Sequence, residues 1–349
     1  MESIIEEYKS NIDRFKDLKS KGYNLIHDLC KKSDVDIHHL TCRLKTEESL
    51  QNKIATKGEK YNSINDITDI IGFRIITLYE NDVEKIANII KKEFLIDIIN
   101  SQDKSEILSS NQFGYKSIHF ISSIGKSRKG LPEFNDISNI RFEIQIRSIL
   151  QHSWAEIEHK LGYKSEIGVP DEIKRDFSRI AGLLELADLE FIRIRENLNN
   201  YSNKITINDS SEPISVDLVT AKKFLSESNM LNKIEKEISK LSSCSINGEI
   251  AGTWIIKILS YLEISDLNSL EEILKLNQKT IINFTANWIK GQGRMSKGTC
   301  IWTLPYVLYG ESNPDKLINY FLELKIGGQD IKAAEDNTQR ISKVLKSIK

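Results

Sequence analysis

Several things are scarce in this sequence, and each scarcity removes a class of answer. Only 5 prolines and 17 glycines occur among 349 residues, which excludes collagen-like and largely disordered chains. The four cysteines, Cys30, Cys42, Cys244 and Cys300, stand far apart with no CxxC pair. Neither a zinc knuckle nor a disulfide framework is expected, and a reducing cytoplasm fits best. No apolar run approaches the ~20 residues of a membrane span. The opening segment is acidic and amphipathic where a signal peptide is basic and then apolar, so no membrane partner is expected. Net charge is nearly absent, with 49 Lys+Arg against 50 Asp+Glu. The chain therefore has no bulk attraction to nucleic acid, and partners must be recognised by local sites.

What is present is a globular composition, 40% hydrophobic and 28% charged, long enough for two domains or one domain with a large appendage. Residues 1–30 carry apolar positions at helical spacing, and a second helix is expected over 46–57. The β-branched run 69–79 reads as a strand and 82–94 as a helix with Asp82 at its N-cap. Two further strands are expected at 117–124 and 140–148, joined by a Gly/Pro-containing loop, with a helix over 149–164. This alternation predicts an α+β fold, a mixed β-sheet flanked by helices over about 35–165. One long helix follows over 171–198. The Asn- and Ser-rich stretch 201–217 reads as a linker, and residues 218–349 as a helical domain with no repeat.

Four pieces of the core carry side chains suited to chemistry. The stretch Arg141–Arg147 alternates strictly, with Phe142, Ile144 and Ile146 on one face and Arg141, Glu143, Gln145 and Arg147 on the other. An edge strand with a solvated face would look the same. Asp69 opens an otherwise apolar strand, where it could join a second carboxylate around Mg²⁺ or serve only as a cap. Arg43, Lys45, Ser49 and Lys53 offer three cations and a hydroxyl to a polyphosphate, in a pattern that a solvated helix face also allows. Tyr115, Ser117 and His119 alternate onto one strand face after Gly114, where an aromatic can stack on a base and a histidine can reach phosphate.

Read together, RLKxxxSxxxK at 43–53, DIIGFRI at 69–75, GYKSIH at 114–119, EIQIR at 143–147 and HSWAEIEHKLGYK at 152–164 resemble the synthetase domain of the RelA/SpoT family. That family moves pyrophosphate from ATP to the 3′-hydroxyl of GTP or GDP. The resemblance implies a synthetase domain over 1–200 with a nucleotidyltransferase-like core. It assigns Arg43, Lys45, Ser49, Lys53 and Arg74 to ATP, and Lys104, Tyr115, His119, Gln145 and Arg147 to the GTP or GDP acceptor. Asp69 and Glu143 become the catalytic pair and the Mg²⁺ ligands. It also implies cytoplasmic location and a homo-oligomer.

Members that make alarmones often carry a Lys and an Asn before the Gly-Tyr pair, where this chain has Asn111, Gln112 and Phe113. The acceptor therefore stays open among guanosine nucleotides, adenosine nucleotides and the 3′-CCA end of tRNA, and a silent nucleotide-binding regulator is the rival of another class. Only some 40 residues precede Arg43, so no hydrolase activity is expected. His152, Glu156 and His159 stand at i, i+4 and i+7 on a helix expected to buttress the sheet through Leu150, Trp154, Ile157 and Leu161. The Gly-rich basic segment Lys290–Gly298 reads as a connection between helices.

Overall fold

The computed structural model describes residues 2–57, 60–103, 117–162, 171–208, 212–326 and 330–348. The chain divides into two compact units, Met1–Arg195 and Glu196–Lys349. Among the described residues no helix is long and apolar enough to cross a membrane.

The first unit is built on a five-stranded mixed sheet: β1 (Ile37–Leu44), β2 (Ile71–Thr77), β3 (Phe94–Asp103), β4 (Ile118–Ile124) and β5 (Phe142–Ser148), in the order β1-β2-β5-β4-β3. Only the β2–β5 pair is parallel. The α+β architecture is the expected one, but β1 and β3 were not legible as strands. β1 runs into the segment 43–53 whose cations read as phosphate-binding, overlapping it at Arg43 and Leu44, and β3 follows directly on the helix before it.

The residues that face inward explain why the layers hold. On β5, Phe142, Ile144 and Ile146 are fully buried. Phe142 meets Phe73 and Phe94 edge-on, with ring centroids 5.4 and 5.8 Å away. Burying each such side chain stabilises the fold by about 1.5–3 kcal/mol. The N-terminal segment forms two helices, α1 (Glu2–Ser10) and α2 (Ile12–Lys31). Helix α2 crosses the sheet at Gly22, where a Cβ would lie 2.6 Å from the Phe73 ring. Helix α3 (Glu47–Lys57) follows β1, and α4 (Glu80–Glu93) follows β2. Asp82 is a buried residue of the first turn of α4 and not its cap, which is Tyr79.

A short helix, α5 (Lys126–Lys129), precedes β5, and α6 (Ile149–Gly162) continues from it. The long helix α7 (Asp171–Lys204) is tied to the sheet by polar contacts. Ser148 donates to Asp188 at 3.0 Å. Arg195 donates to Asp82 and Asn81, both at 2.6 Å, with its guanidinium 4.1 Å from the centre of the Tyr79 ring. The apolar positions of α7 that suggested a buried stripe, Ile173, Ile180, Phe191 and Ile194, are each about half exposed.

The second unit is helical: α8 (Leu218–Glu227), α9 (Asn229–Ser242), α10 (Gly252–Tyr261), α11 (Leu267–Leu276), α12 (Gln278–Trp288), the short α13 (Thr299–Trp302) and α14 (Leu304–Tyr309), α15 (Pro314–Leu324) and α16 (Ile331–Ser347). The sequence stretch 201–217 spans the last turn of α7, and its Ile205, Ile207, Ile214 and Val216 pack on this helical core. One feature has no counterpart in the sequence reading. Ser245–Glu249 (β6) and Arg294–Lys297 (β7) pair as a two-stranded parallel sheet. Gly291, Gly293 and Gly298 take left-handed conformations around β7, which accounts for the glycines of that basic segment.

Glu235 of α9 is buried in this unit, accepting from the Gly298 N–H at 2.6 Å with one carboxylate oxygen and finding no partner for the other. Burial pushes its carboxyl up to about 7, against the opposing hydrogen bonds from the Gly298 and Cys300 backbone. A native value raised above the unfolded one means that the folded state holds the proton more tightly. Stability then falls as pH rises from about 4.5 through about 7, by on the order of 3 kcal/mol. Glu235→Gln should therefore raise the melting temperature of this unit at pH 8 by several degrees and leave it little changed at pH 5. Tryptophan fluorescence can follow this melting, since three of the four tryptophans, Trp254, Trp288 and Trp302, lie here.

Candidate active site

The polar face of β5 belongs to a central strand. β5 runs between β2 and β4, so Glu143, Gln145 and Arg147 are flanked on both sides. Glu143 pairs with Gly72 and Ile121, and Gln145 with Arg74 and His119. Arg43 enters from β1 opposite Gly72. The sheet thus brings side chains from four strands onto one surface.

That surface is covered by α6 to leave a cavity of about 600 Å³, whose walls include Arg43, Arg74, Glu143, Gln145 and Arg147. The covering helix contributes Gln151, Trp154, Ala155, Glu156, Glu158 and His159. This corrects the expected buttress: Ile157 and Leu161 are 54% and 65% exposed, and it is Trp154 and the polar residues that face the sheet. The legible signal was the i, i+3/i+4, i+7/i+8 spacing of Gln151, Trp154, Ala155, Glu158 and His159, which marks one helix face. Glu156 meets Arg74 Nη1 at 2.9 Å, while His152 lies 3.9 Å from Glu156. Among the described residues no group of three or more His, Cys, Asp or Glu side chains is placed to hold a metal, so His152, Glu156 and His159 do not form one.

His119 is not in the cavity wall and acts through its neighbours. Its Nδ1 is 3.0 Å from Glu143 Oε1, and its Nε2 is 3.0 Å from Arg147 Nη2. A guanidinium has only donors, so Nε2 accepts and Nδ1 carries the hydrogen that Glu143 receives. Burial works to raise the Glu143 carboxyl, and so does the charge of Asp69. The hydrogen bonds from His119 and Gln145 outweigh both and hold it below the ordinary value. Arg147 is 9% exposed, its Nε has no partner, and burial together with Arg74 lowers it. A buried cation with an unused donor is suited to an anion brought by a ligand.

Asp69 forms a second cluster, outside the walls of that cavity. It stands in the turn before β2, with Lys45 Nζ 2.9 Å from one oxygen and Lys53 Nζ 2.7 Å from the other. Burial raises its carboxyl, but the two ammonium groups overcome this and keep it below the ordinary value. Lys45 is placed by the end of β1 and Lys53 by α3. Ser49 is exposed on α3 and makes a backbone contact to Thr46. Of the expected site residues the structure brings Arg43, Arg74, Glu143, Gln145 and Arg147 into one cavity, adds His119 through hydrogen bonds, and gathers Lys45, Lys53 and Asp69 beside them. It leaves Ser49 on the rim of α3. Lys104 and Tyr115 lie outside the described residues.

Residues 42–168 match the model of the region found in RelA / SpoT proteins. Every clustered site residue described above lies within this matched stretch. Two curated Bacillus subtilis (strain 168) proteins resemble the chain. GTP pyrophosphokinase YwaC is 27% identical over 212 residues, 57% of this chain and 95% of that protein. GTP pyrophosphokinase YjbM is 25% identical over 196 residues, 56% of this chain and 88% of that protein. A solved structure of a GTP pyrophosphokinase family protein from Streptococcus pneumoniae is 26% identical, with 56% of this chain and 96% of that chain covered and a TM-score of 0.45.

The hydrogen bond from His119 gives a direct prediction. His119→Ala removes a hydrogen-bond donor from Glu143, so the carboxyl should titrate at higher pH than in the parent. Carboxyl ¹³C shifts of Glu143 against pH measure this, and an unchanged midpoint would show that His119 does not set its charge.

Proposed function

We propose that the chain is a pyrophosphokinase that transfers the β,γ-diphosphate of ATP to the 3′-hydroxyl of GTP or GDP. The observation that carries this reading is the ionised Glu143, hydrogen-bonded by His119 on the surface that also holds Arg43, Arg74 and Arg147. A carboxylate among arginines, inside a RelA/SpoT region, suits a hydroxyl nucleophile and a polyphosphate electrophile. The GTP pyrophosphokinase relatives point to the guanosine acceptor.

The chemistry follows from these groups. The 3′-oxygen attacks the β-phosphorus of ATP, the bond from that phosphorus to the α,β-bridging oxygen breaks, and AMP leaves with the bridging oxygen. The hydroxyl proton passes to Glu143. Its lowered basicity is no obstacle, because a loose phosphoryl transition state asks more of positioning and charge neutralisation than of a strong base. In this reading Arg43, Arg74, Lys45 and Lys53 spread the charge of the triphosphate, and Gln145, Arg147 and His119 orient the acceptor.

Asp69 and Glu143 fit a resident Mg²⁺. Both are hard oxygen donors held ionised, and Glu143 senses the charge of Asp69. The ion would supply further neutralisation of the phosphates, and Asp69 would exchange a lysine contact for it. Lys104 and Tyr115 complete the acceptor side in this proposal, Tyr115 by stacking on the base.

Purified protein incubated with Mg²⁺ and β-labelled ATP, with GTP, GDP, ATP alone and deacylated tRNA offered in parallel, tests the reading. Label on guanosine nucleotides with release of AMP is the expected result. Label on tRNA alone would overturn the acceptor, and no transfer to any acceptor would overturn the activity. Glu143→Gln keeps the side chain's shape and should lower kcat by about 10²–10⁴-fold, with ATP binding nearly unchanged.

A further inference from the structure

A second cavity, of about 470 Å³, lies at the other end of the same sheet, its walls mixing Leu95, Ile96 and Ile124 with polar residues. Its walls come from the start of β3, the end of β4 and the residue before β5. The end of β3 and the start of β4, Asp103 paired with Ile118, are at the opposite end. Gln145, Arg147 and His119 lie toward that opposite end, so this cavity is separate from the candidate active site.

Its lining is cationic. Lys126, Lys129 and Arg141 face it, with Asp97 as the single carboxylate. Asp97 is already occupied, accepting from Asn100 and from Arg141 at 3.2 Å, and these contacts keep its carboxyl low. Lys126 and Lys129 have no carboxylate within ion-pair reach among the described residues. Ser122, also at this wall, is 1% exposed and pairs with Phe142, so its side chain belongs to the core face of the sheet.

The lysines are held in place and not on a free loop. A Cβ at Gly125 would lie 2.2 Å from the Glu93 carbonyl oxygen, so the chain turns there in close contact with the end of α4. Arg128 bonds back to the Glu93 carboxylate. The turn between these two contacts presents Lys126 and Lys129, three residues apart, to one side.

We propose that this cavity is a binding site for a small polyphosphate anion, with Lys126, Lys129 and Arg141 as its cations. The shared chemistry is a run of two or more phosphates, whether free or as the tail of a nucleotide. The proposal does not rest on the reading of the first site.

Equilibrium dialysis with labelled pyrophosphate, and separately with labelled ATP, tests it. Lys45→Ala/Lys53→Ala removes cations from the first site, and Lys126→Ala/Lys129→Ala removes the exposed ones from the second. The expected result is two classes of pyrophosphate site in the parent, one surviving each double variant. In the Lys45→Ala/Lys53→Ala protein, ATP binding of similar strength to pyrophosphate would mark a nucleotide tail as the ligand, and pyrophosphate binding alone would mark the free anion. Loss of all pyrophosphate binding in Lys45→Ala/Lys53→Ala, or full retention of both classes in Lys126→Ala/Lys129→Ala, would overturn the proposal. Lys126 and Lys129 are exposed, whereas Lys45 and Lys53 are partly buried against Asp69, so circular dichroism checks that each variant is folded before its binding is compared.

Discussion

The structure of the first unit depends on one strand serving two solvents. β5 places Phe142, Ile144 and Ile146 in a dry core, and Glu143, Gln145 and Arg147 on a polar surface, by nothing more than its two-residue period. Because the strand is central, its neighbours on both sides are fixed by backbone pairing. Any charged group on the polar face then finds partners at set distances. Desolvation makes an isolated carboxylate or guanidinium costly there. The His119 bridge between Glu143 and Arg147 removes that cost for both while leaving a guanidinium nitrogen free.

The same logic of pairing under partial burial organises the rest of the surface. Asp69 is kept ionised by two lysines that come from β1 and α3, and Arg74 is held between Gln145 and Glu156. These contacts hold the cations apart in the absence of phosphate. Carboxylates occupy the places where phosphate oxygens would be favoured, so the surface is ready for polyanions without large self-repulsion.

Much of this was legible from residue order. The alternation of Phe142, Ile144 and Ile146 with Glu143, Gln145 and Arg147 fixed which side chains share a face, and the apolar run at Ile70–Ile76 marked β2. β1 was obscured because His38, His39 and Arg43 break its hydrophobic pattern, as an edge strand permits. β3 was obscured by its irregular pairing between Asp97 and Gln102, where Ile98 and Ile99 are left exposed. The lining of α6 was misread because apolar Ile157 and Leu161 suggested the buried side, whereas the covered surface is polar and takes Trp154 and Glu158. What pairs with what across strands, such as His119 with both Glu143 and Arg147, has no local signature at all.

The parallel contact between β2 and β5 has a kinetic consequence. Hairpin-like pairing of β3 with β4, and of β4 with β5, closes short loops, but β2 and β5 are joined through the whole of α4, β3 and β4. Asp69 and Glu143, 74 residues apart, become neighbours only when that closure is made. Long closures are the slow, entropically expensive part of folding a small sheet. The acidic pair is therefore assembled by the longest-range strand pairing of this sheet, so partly folded molecules that contain only the β3–β4–β5 meander carry Glu143 without Asp69.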